Sequence, residues 1–301
     1  MANKIFLVWM ACMVLASGCI TEITETEPEL SDEYPLTVTD DLGRNVTITK
    51  EPERIISTAP SNTEILFALG LEDKVIGVTE YCNYPPEALG KDKIGGFSTV
   101  NIEKIVALDP DVVFASDKTG EDNIKKLEDF GIAVVVLHPR DIGDALKNIE
   151  VIGRVTNTEE NASKLVADMR ERIDVVEEKH GGAKPRILYV VWHDPLMGAG
   201  RDTFVDSLIR KAGGVNIADF VGYKVISLEA VIKENPDVII TAMGHGDARN
   251  QTYMYVVSEE RLAVTGAIRN GEVYEIDTDL TGRAGPRIVE GLEQFSKWIK
   301  K

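Results

Sequence analysis

Residues 102–115, IEKIVALDPDVVFA, return in altered form as residues 228–241, LEAVIKENPDVIIT, with no gap between the two readings. Alignment pairs Glu103 with Glu229, Pro110 with Pro236, Asp111 with Asp237 and Val112 with Val238. Each copy reads as a helix that stops before a proline, because the residue ahead of proline is sterically pushed out of the helical region, and then as a short apolar strand. Asn101 and Ser227 stand where helix N-caps belong. Both glutamates therefore fall in a first helical turn, where the helix dipole favours negative charge. That role is sufficient by itself; a second reading makes the pair a contact for something outside the chain. A helix-and-strand unit carried twice predicts two similar α/β lobes.

The rest of the chain fits this plan. Residues 36–49, LTVTDDLGRNVTIT, alternate about a glycine-containing turn and predict a β-hairpin. After them RIIST, KVIGV, DVVFA and AVVVL are short continuous apolar runs, suited to strands buried on both faces of a parallel sheet. Helical segments, among them 63–69 and 123–130, lie between the strands. RILYVVW, TFVDSLIRKAGG, SLEAVIKENPDVIITAM and GEVYEID repeat the scheme further on, and Ile288, Leu292, Phe295 and Ile299 stripe a last helix. Between the halves, residues 158–180 carry Ala162, Leu165, Val166, Met169, Ile173 and Val176 at helical spacing, closed by Gly181 and Gly182. Such a helix is roughly 35 Å long, enough to bridge two lobes. The predicted organisation is a signal peptide at 1–18, a flexible lipid-anchored linker at 19–35, an α/β lobe at 36–156, a connecting helix at 157–182 and a second α/β lobe at 183–301.

The chain has 301 residues, 44% of them hydrophobic, and a net charge of -17. That length favours two domains over one core. The acidic balance, with no dense basic run, argues against nucleic acid as a partner. The start combines Lys4, an apolar stretch over 5–15 and small residues up to Cys19. It is too short to cross a bilayer comfortably and reads as an export signal. LASGC at 15–19 resembles the lipobox of secreted lipoproteins, in which the cysteine is lipidated; Ala16 departs from the usual residue at its position. The Thr/Glu/Pro-rich stretch that follows has no period and reads as a tether. In the mature chain only Cys82 remains besides Cys19, so no internal disulfide can form, and Cys82 is expected to be packed.

Ligands of open α/β sheets bind beyond the carboxyl ends of the strands. The segments that follow those ends hold Ser61 and Glu64 at capping-box spacing, Ser116-Asp117, and three of the four histidines, His138, His193 and His245. Imidazoles ligate zinc, copper and iron, but three in separate segments make only a weak metal candidate. Tyr81, Tyr84, Phe97, Trp192 and Tyr223 fall at the same rim, as the wall of a site for a flat ligand would. The sequence has no Gly-x-Ser-x-Gly elbow, Walker loop, complete Gly-x-Gly-x-x-Gly or His-Glu-x-x-His. An enzyme is therefore not expected, and a hydrolase is a minor alternative.

Taken together, ERIISTAPSNTEILFALG, GVTEYCNYPP, NIEKIVALDPDVV, TFVDSLIRKAGGVNIA, SLEAVIKENPDVII and the ending Asp279-x-x-x-Arg283-Ala284-Gly285-Pro286-Arg287 resemble the substrate-binding proteins of ABC importers for vitamin B12, haem and ferric siderophores. The resemblance covers about residues 36–301. It implies two Rossmann-like lobes joined by one long α-helix, with ligand in the cleft between them. It also implies a monomer that docks on a dimeric permease with its ATPase, at the outer face of the cytoplasmic membrane or in the periplasm. At the positions matching the family's, Glu103 and Glu229 would meet the permease. Tyr81, Phe97, Trp192 and Tyr223 would face a macrocycle, and Asp279 and Arg283 would orient it. No permanent cofactor is implied. The expected cargo is a corrinoid such as cobalamin; the alternatives are a ferric siderophore or haem, then a bare metal ion. Where close B12 binders carry a tryptophan after the DVV strand this chain has Ser116, and Arg201, Arg249 and Arg283 could receive an anionic chelate instead.

Overall fold

The computed structural model describes residues 34–179, 184–244 and 249–299. The expected signal peptide, Cys19, nearly all of the linker, Gly181-Gly182 and His245 lie outside the described residues.

Strands β1 (Leu36–Thr39) and β2 (Asn45–Ile48) form the expected antiparallel hairpin, with Val38, Val46 and Ile48 turned inward. β3 (Ile55–Ser57), β4 (Val75–Val78), β5 (Asp92–Lys93), β6 (Val112–Ser116) and β7 (Ala133–Leu137) make a parallel sheet in the order β5-β4-β3-β6-β7. Their connections run through α1 (Pro60–Ala68), α2 (Ile102–Ala107) and α3 (Glu121–Asp129), and α4 (Ile142–Val155) follows β7. Helix α5 (Glu159–Glu178) leads to the second lobe. There β8 (Arg186–His193), β9 (Leu196–Ala199), β10 (Val215–Asn216), β11 (Tyr223–Val225), β12 (Val238–Met243) and β13 (Val273–Asp277) form one sheet, ordered β11-β9-β8-β12-β13 with β10 beside β8. Its helices are α6 (Phe204–Lys211), α7 (Leu228–Glu234), α8 (Gln251–Ser258), α9 (Gly266–Asn270), α10 (Asp279–Gly282) and α11 (Ile288–Ile299).

The second lobe does not repeat the first throughout. β8 runs on to His193 and turns back through Asp194 and Pro195 into β9, which pairs with it antiparallel, and β11 adds antiparallel to β9. A mixed sheet replaces the parallel sheet that the apolar runs imply, because MGA and YKV lack the long β-branched runs that mark a strand in sequence.

The duplicated element accounts for its own repeated residues. Both helices stop at a left-handed residue before proline, Asp109 with φ 48° and Asn235 with φ 45°. The aspartate after the proline then ties down the neighbouring strand. Asp111 Oδ2 accepts from the Glu53 and Arg54 amides, each at 2.9 Å, and Asp237 Oδ2 accepts from the Arg186 amide at 2.8 Å. Arg54 in turn donates through Nε to the Asp109 carbonyl just past α2 (2.8 Å), and Arg186 through Nε to the carbonyl of Glu234, the last residue of α7 (2.9 Å), a group a helix leaves unpaired. Ile105 and Val231 are fully buried. The repeated proline, aspartate and apolar positions thus serve the fold, whereas Glu103 and Glu229 remain exposed.

Helix α5 has 20 residues, about 30 Å of rod. Ala162, Val166, Met169, Ile173 and Val176 are its buried stripe. Gly153 lets α4 cross it closely: a Cβ there would stand 2.5 Å from Ala162 Cβ. One apolar core joins Val112 and Phe114 of the first sheet, Met169 of α5, and Ile240 and Leu292 of the second lobe. Cys82 is buried, as expected, and its sulfur accepts the Thr63 hydroxyl at 3.1 Å.

Arg172 of α5 reaches α11 through two hydrogen bonds to Glu293, Nε to Oε1 at 2.9 Å and Nη2 to Oε2 at 3.1 Å. These bonds hold the Glu293 carboxyl below the ordinary carboxylate value, against burial that would raise it. A depressed folded-state value means the stabilisation is complete above about pH 4.5 and is lost as pH falls below it. Thermal melts from pH 7 to 3 should therefore show Glu293→Gln less stable at neutrality by about 2 °C, the difference vanishing in acid.

Candidate functional site

A cleft of about 800 Å³ lies between the lobes. It is lined from the carboxyl end of every strand in the first sheet. Ala59, Pro60 and Ser61 follow β3; Tyr81 follows β4; Phe97 follows β5; Ser116, Asp117 and Lys118 come from the end of β6; Leu137, His138, Pro139 and Arg140 come from the end of β7. The second lobe contributes Asp202, Thr203 and Phe204 ahead of and into α6, Tyr223 at the start of β11, and Thr278, Asp279, Gly282, Arg283 and Ala284 after β13.

Tyr81 and Phe97 are stacked, with ring centroids 4.5 Å apart and planes 5° from parallel, and Tyr223 stands half-exposed in the same lining. Asp279 Oδ1 and Arg283 Nη2 are 2.9 Å apart. Five of the six residues expected to hold ligand thus line one cleft. Trp192 does not. β8 continues past it, so the residue sits inside a hairpin, where its Nε1 donates to the Asp194 carbonyl (2.8 Å) and its ring packs on His193 at 4.6 Å. His193, expected after a strand, is likewise its last residue and packs near Tyr255. His138 lies in the cleft, so the two described histidines are not brought together. No cluster of three or more metal-ligating side chains occurs among the described residues. Of the three arginines considered for an anionic chelate, only Arg283 lines the cleft; Arg201 pairs with Asp219 at 3.3 Å. Lys118 and Arg140 line it instead.

Glu64 departs most from its expected role. Helix α1 begins at Pro60, whose fixed φ suits the first helical turn, so Ser61 is already inside the helix and no capping box forms. Glu64 is 3% exposed and points to the other lobe. Arg287 donates to it twice, Nε to Oε2 at 3.0 Å and Nη2 to Oε1 at 2.6 Å, and Arg283 Nη1 lies 3.4 Å from Oε1. Arg283 also donates to Asn83 Oδ1 at 2.6 Å, and Arg287 lies 3.8 Å above the Tyr84 ring. Burial is the largest single influence on the Arg287 guanidinium and disfavours its charge, but the Glu64 hydrogen bonds together with the negative charges of Glu64 and Asp279 outweigh it, and the net shift is upward. Gly285 keeps the approach close, since a Cβ there would press on Glu64 at 3.3 Å. The clasp joins the lobes beside the cleft and shares Arg283 with it.

Glu103 and Glu229 form no ion pair with any of the described residues. Glu229 is held below the ordinary carboxylate value by its own backbone N–H and by the Ser227 hydroxyl. Asn101 and Ser227 cap as expected, accepting from the Lys104 amide (2.9 Å) and the Ala230 amide (3.2 Å).

Residues 55–280, most of both lobes and the helix between them, match the family model described as periplasmic binding protein. The chain belongs to this family. Among periplasmic binding proteins it is 33% identical, over 97% of its length and 96% of the other's, to the uncharacterized ABC transporter substrate-binding lipoprotein YvrC of Bacillus subtilis. The vitamin B12-binding protein BtuF of Vibrio cholerae superposes with a TM-score of 0.73 at 29% identity, covering 83% of this chain and 97% of that one. A periplasmic haem-binding protein of Pseudomonas aeruginosa gives 0.73 at 28%, covering 83% and 93%. The chain is accordingly a substrate-binding protein of an ABC transporter, not an enzyme, and works with a permease and its ATPase. Overall likeness does not separate the two cargoes, so the cleft has to.

Proposed function

We propose that the chain captures a corrinoid such as cobalamin in the inter-lobe cleft and hands it to a dimeric permease at the outer face of the cytoplasmic membrane, to which Cys19 tethers it through lipid. The observation that carries the cargo reading is the parallel Tyr81–Phe97 pair facing a cleft that Tyr223 also lines, a wall suited to a broad flat ring. Asp279 and Arg283 supply the orienting hydrogen bonds. Glu103 and Glu229 are the docking anchors: one exposed carboxylate on each lobe, equivalent in the repeat, offered to a two-fold partner.

A second reading, a ferric siderophore or haem, is favoured by Ser116, Lys118 and Arg140. Ser116 leaves the wall open where a tryptophan would close it, and the two cations suit an acidic periphery.

Calorimetric titration with cyanocobalamin, cobinamide, haemin and ferric siderophores tests both. The corrinoid reading expects one-to-one binding of cyanocobalamin, weakened about tenfold by Tyr81→Ala through loss of the stacked ring. Binding of haemin or a siderophore with no corrinoid binding would overturn it.

A further inference from the structure

Most of the hydrogen-bonding capacity of the cleft arginine is taken up by the protein itself. Arg283 Nη1 donates to Asn83 Oδ1 at 2.6 Å and to Glu64 Oε1 at 3.4 Å; Nη2 donates to the Tyr81 carbonyl at 3.4 Å and stands 2.9 Å from Asp279 Oδ1. Each Nη hydrogen thus has an acceptor, which leaves Nε–H alone without one among the described residues. Glu64, Asn83 and Tyr81 belong to the first lobe, and the last two lie in the segment that carries the aromatic wall. The bond to Asn83 is the shortest of the set, and a guanidinium donor makes it charge-assisted. Cys82, between the two acceptors, is buried, and its sulfur lies 3.1 Å from the hydroxyls of both Thr63 and Thr79. The segment is therefore held by its own lobe from beneath and by Arg283 from the opposite lobe. Asn83 itself is exposed and does not line the cleft, so it neither packs a core nor meets cargo.

We propose that Asn83 is a positioning residue for cargo capture: through Arg283 it sets the gap between the Tyr81–Phe97 wall and the Asp279–Arg283 pair before cargo arrives. This deepens the reading of the cleft as the cargo site and rests on it. A wall fixed in advance loses less freedom when cargo is bound. Without the Asn83 bond, only a fraction of the free molecules hold the segment where the ring needs it, and apparent affinity falls by that fraction. The loss belongs to association, because Asn83 touches no cargo and the bound state keeps its contacts.

Three forms of the full chain test this: wild type, Asn83→Ala, and Asn83→Asp, which keeps an acceptor at the same atom. In the absence of cargo the reporters are the Glu80 amide, which donates to the Gly95 carbonyl at 3.0 Å, and the Cys82 amide, which donates to the Thr79 carbonyl at 3.1 Å. Their deuterium exchange is about tenfold faster in Asn83→Ala and returns to the wild-type rate in Asn83→Asp. Melting temperatures stay together, since Arg287 still rests on the Tyr84 ring. With cyanocobalamin, stopped-flow association slows about tenfold in Asn83→Ala and recovers in Asn83→Asp, while dissociation is unchanged in both. Exchange that Asn83→Ala leaves unaltered, exchange that Asn83→Asp does not restore, or a loss that appears in dissociation overturns the proposal. If cyanocobalamin does not bind the wild type, the corrinoid reading fails separately; the exchange rates still decide whether Asn83 presets the wall, and haemin takes over the rate measurement with the same expected outcomes.

Discussion

Reversing both anchors, Glu103→Lys with Glu229→Lys, is expected to abolish uptake by the reconstituted transporter while the purified protein still binds its cargo. Both side chains are exposed and form no ion pair among the described residues, and the bonds of Glu229 stay within its own helix cap, so their reversal removes no contact between elements. Placing like charge against a complementary surface costs several kcal/mol, so each single reversal should weaken docking by about a hundredfold. The helix dipole makes a small separate claim on the same residues, since a first turn disfavours lysine relative to glutamate. Melting curves isolate that term. A double mutant that transports normally would end the docking assignment, and one that no longer binds cargo would show that the anchors act through the fold.

The second large effect is expected at the clasp. Arg287→Met leaves the Glu64 carboxylate buried with only the longer contact to Arg283, and breaking a buried pair in this way costs about 3–5 kcal/mol. Removing both charges, Glu64→Gln with Arg287→Met, should recover a large part of that loss, since an uncharged pair avoids the desolvation penalty of the ions. Urea unfolding of the two variants measures the difference. Equal losses would mean that the ion pair, rather than the stranded charge, is what stabilises. Because Arg283 belongs to both the clasp and the cleft, Arg287→Met should also alter cargo affinity; an unchanged value would separate the two.

What could be read in the sequence follows how far apart the interacting groups lie along the chain. The hairpin, β3, β4, β6, β7, the α5 stripe and both helix caps depend on residues within a few positions of each other, and Asn101, Ser227 and the Val-rich runs mark them; β5, a two-residue strand, carries no such mark. β9, β10 and β11 were not legible because they are short and not apolar throughout; with β9 unseen, Trp192 was assigned to a loop that is in fact a hairpin. Glu64 is the clearest case. At Ser-x-x-Glu spacing it reads as a local cap, yet its partners, Arg283 and Arg287, are brought to it only by the fold. The signal the sequence does carry is the Arg-Ala-Gly-Pro-Arg run, where a glycine between two arginines permits a close approach. Lys118 and Arg140 are silent in the sequence for another reason: an exposed cation looks the same whether or not a cleft lies beside it.

The unbroken apolar interior that runs from one sheet through α5 to the other has a mechanical consequence. Swinging the halves widely apart would tear packed side chains from each other, so thermal motion alone grants the jaws only a narrow gape. Surrender of a tightly held passenger then becomes a matter of leverage. Force applied at two distant points, one per half, would be needed to spread so stiff a body.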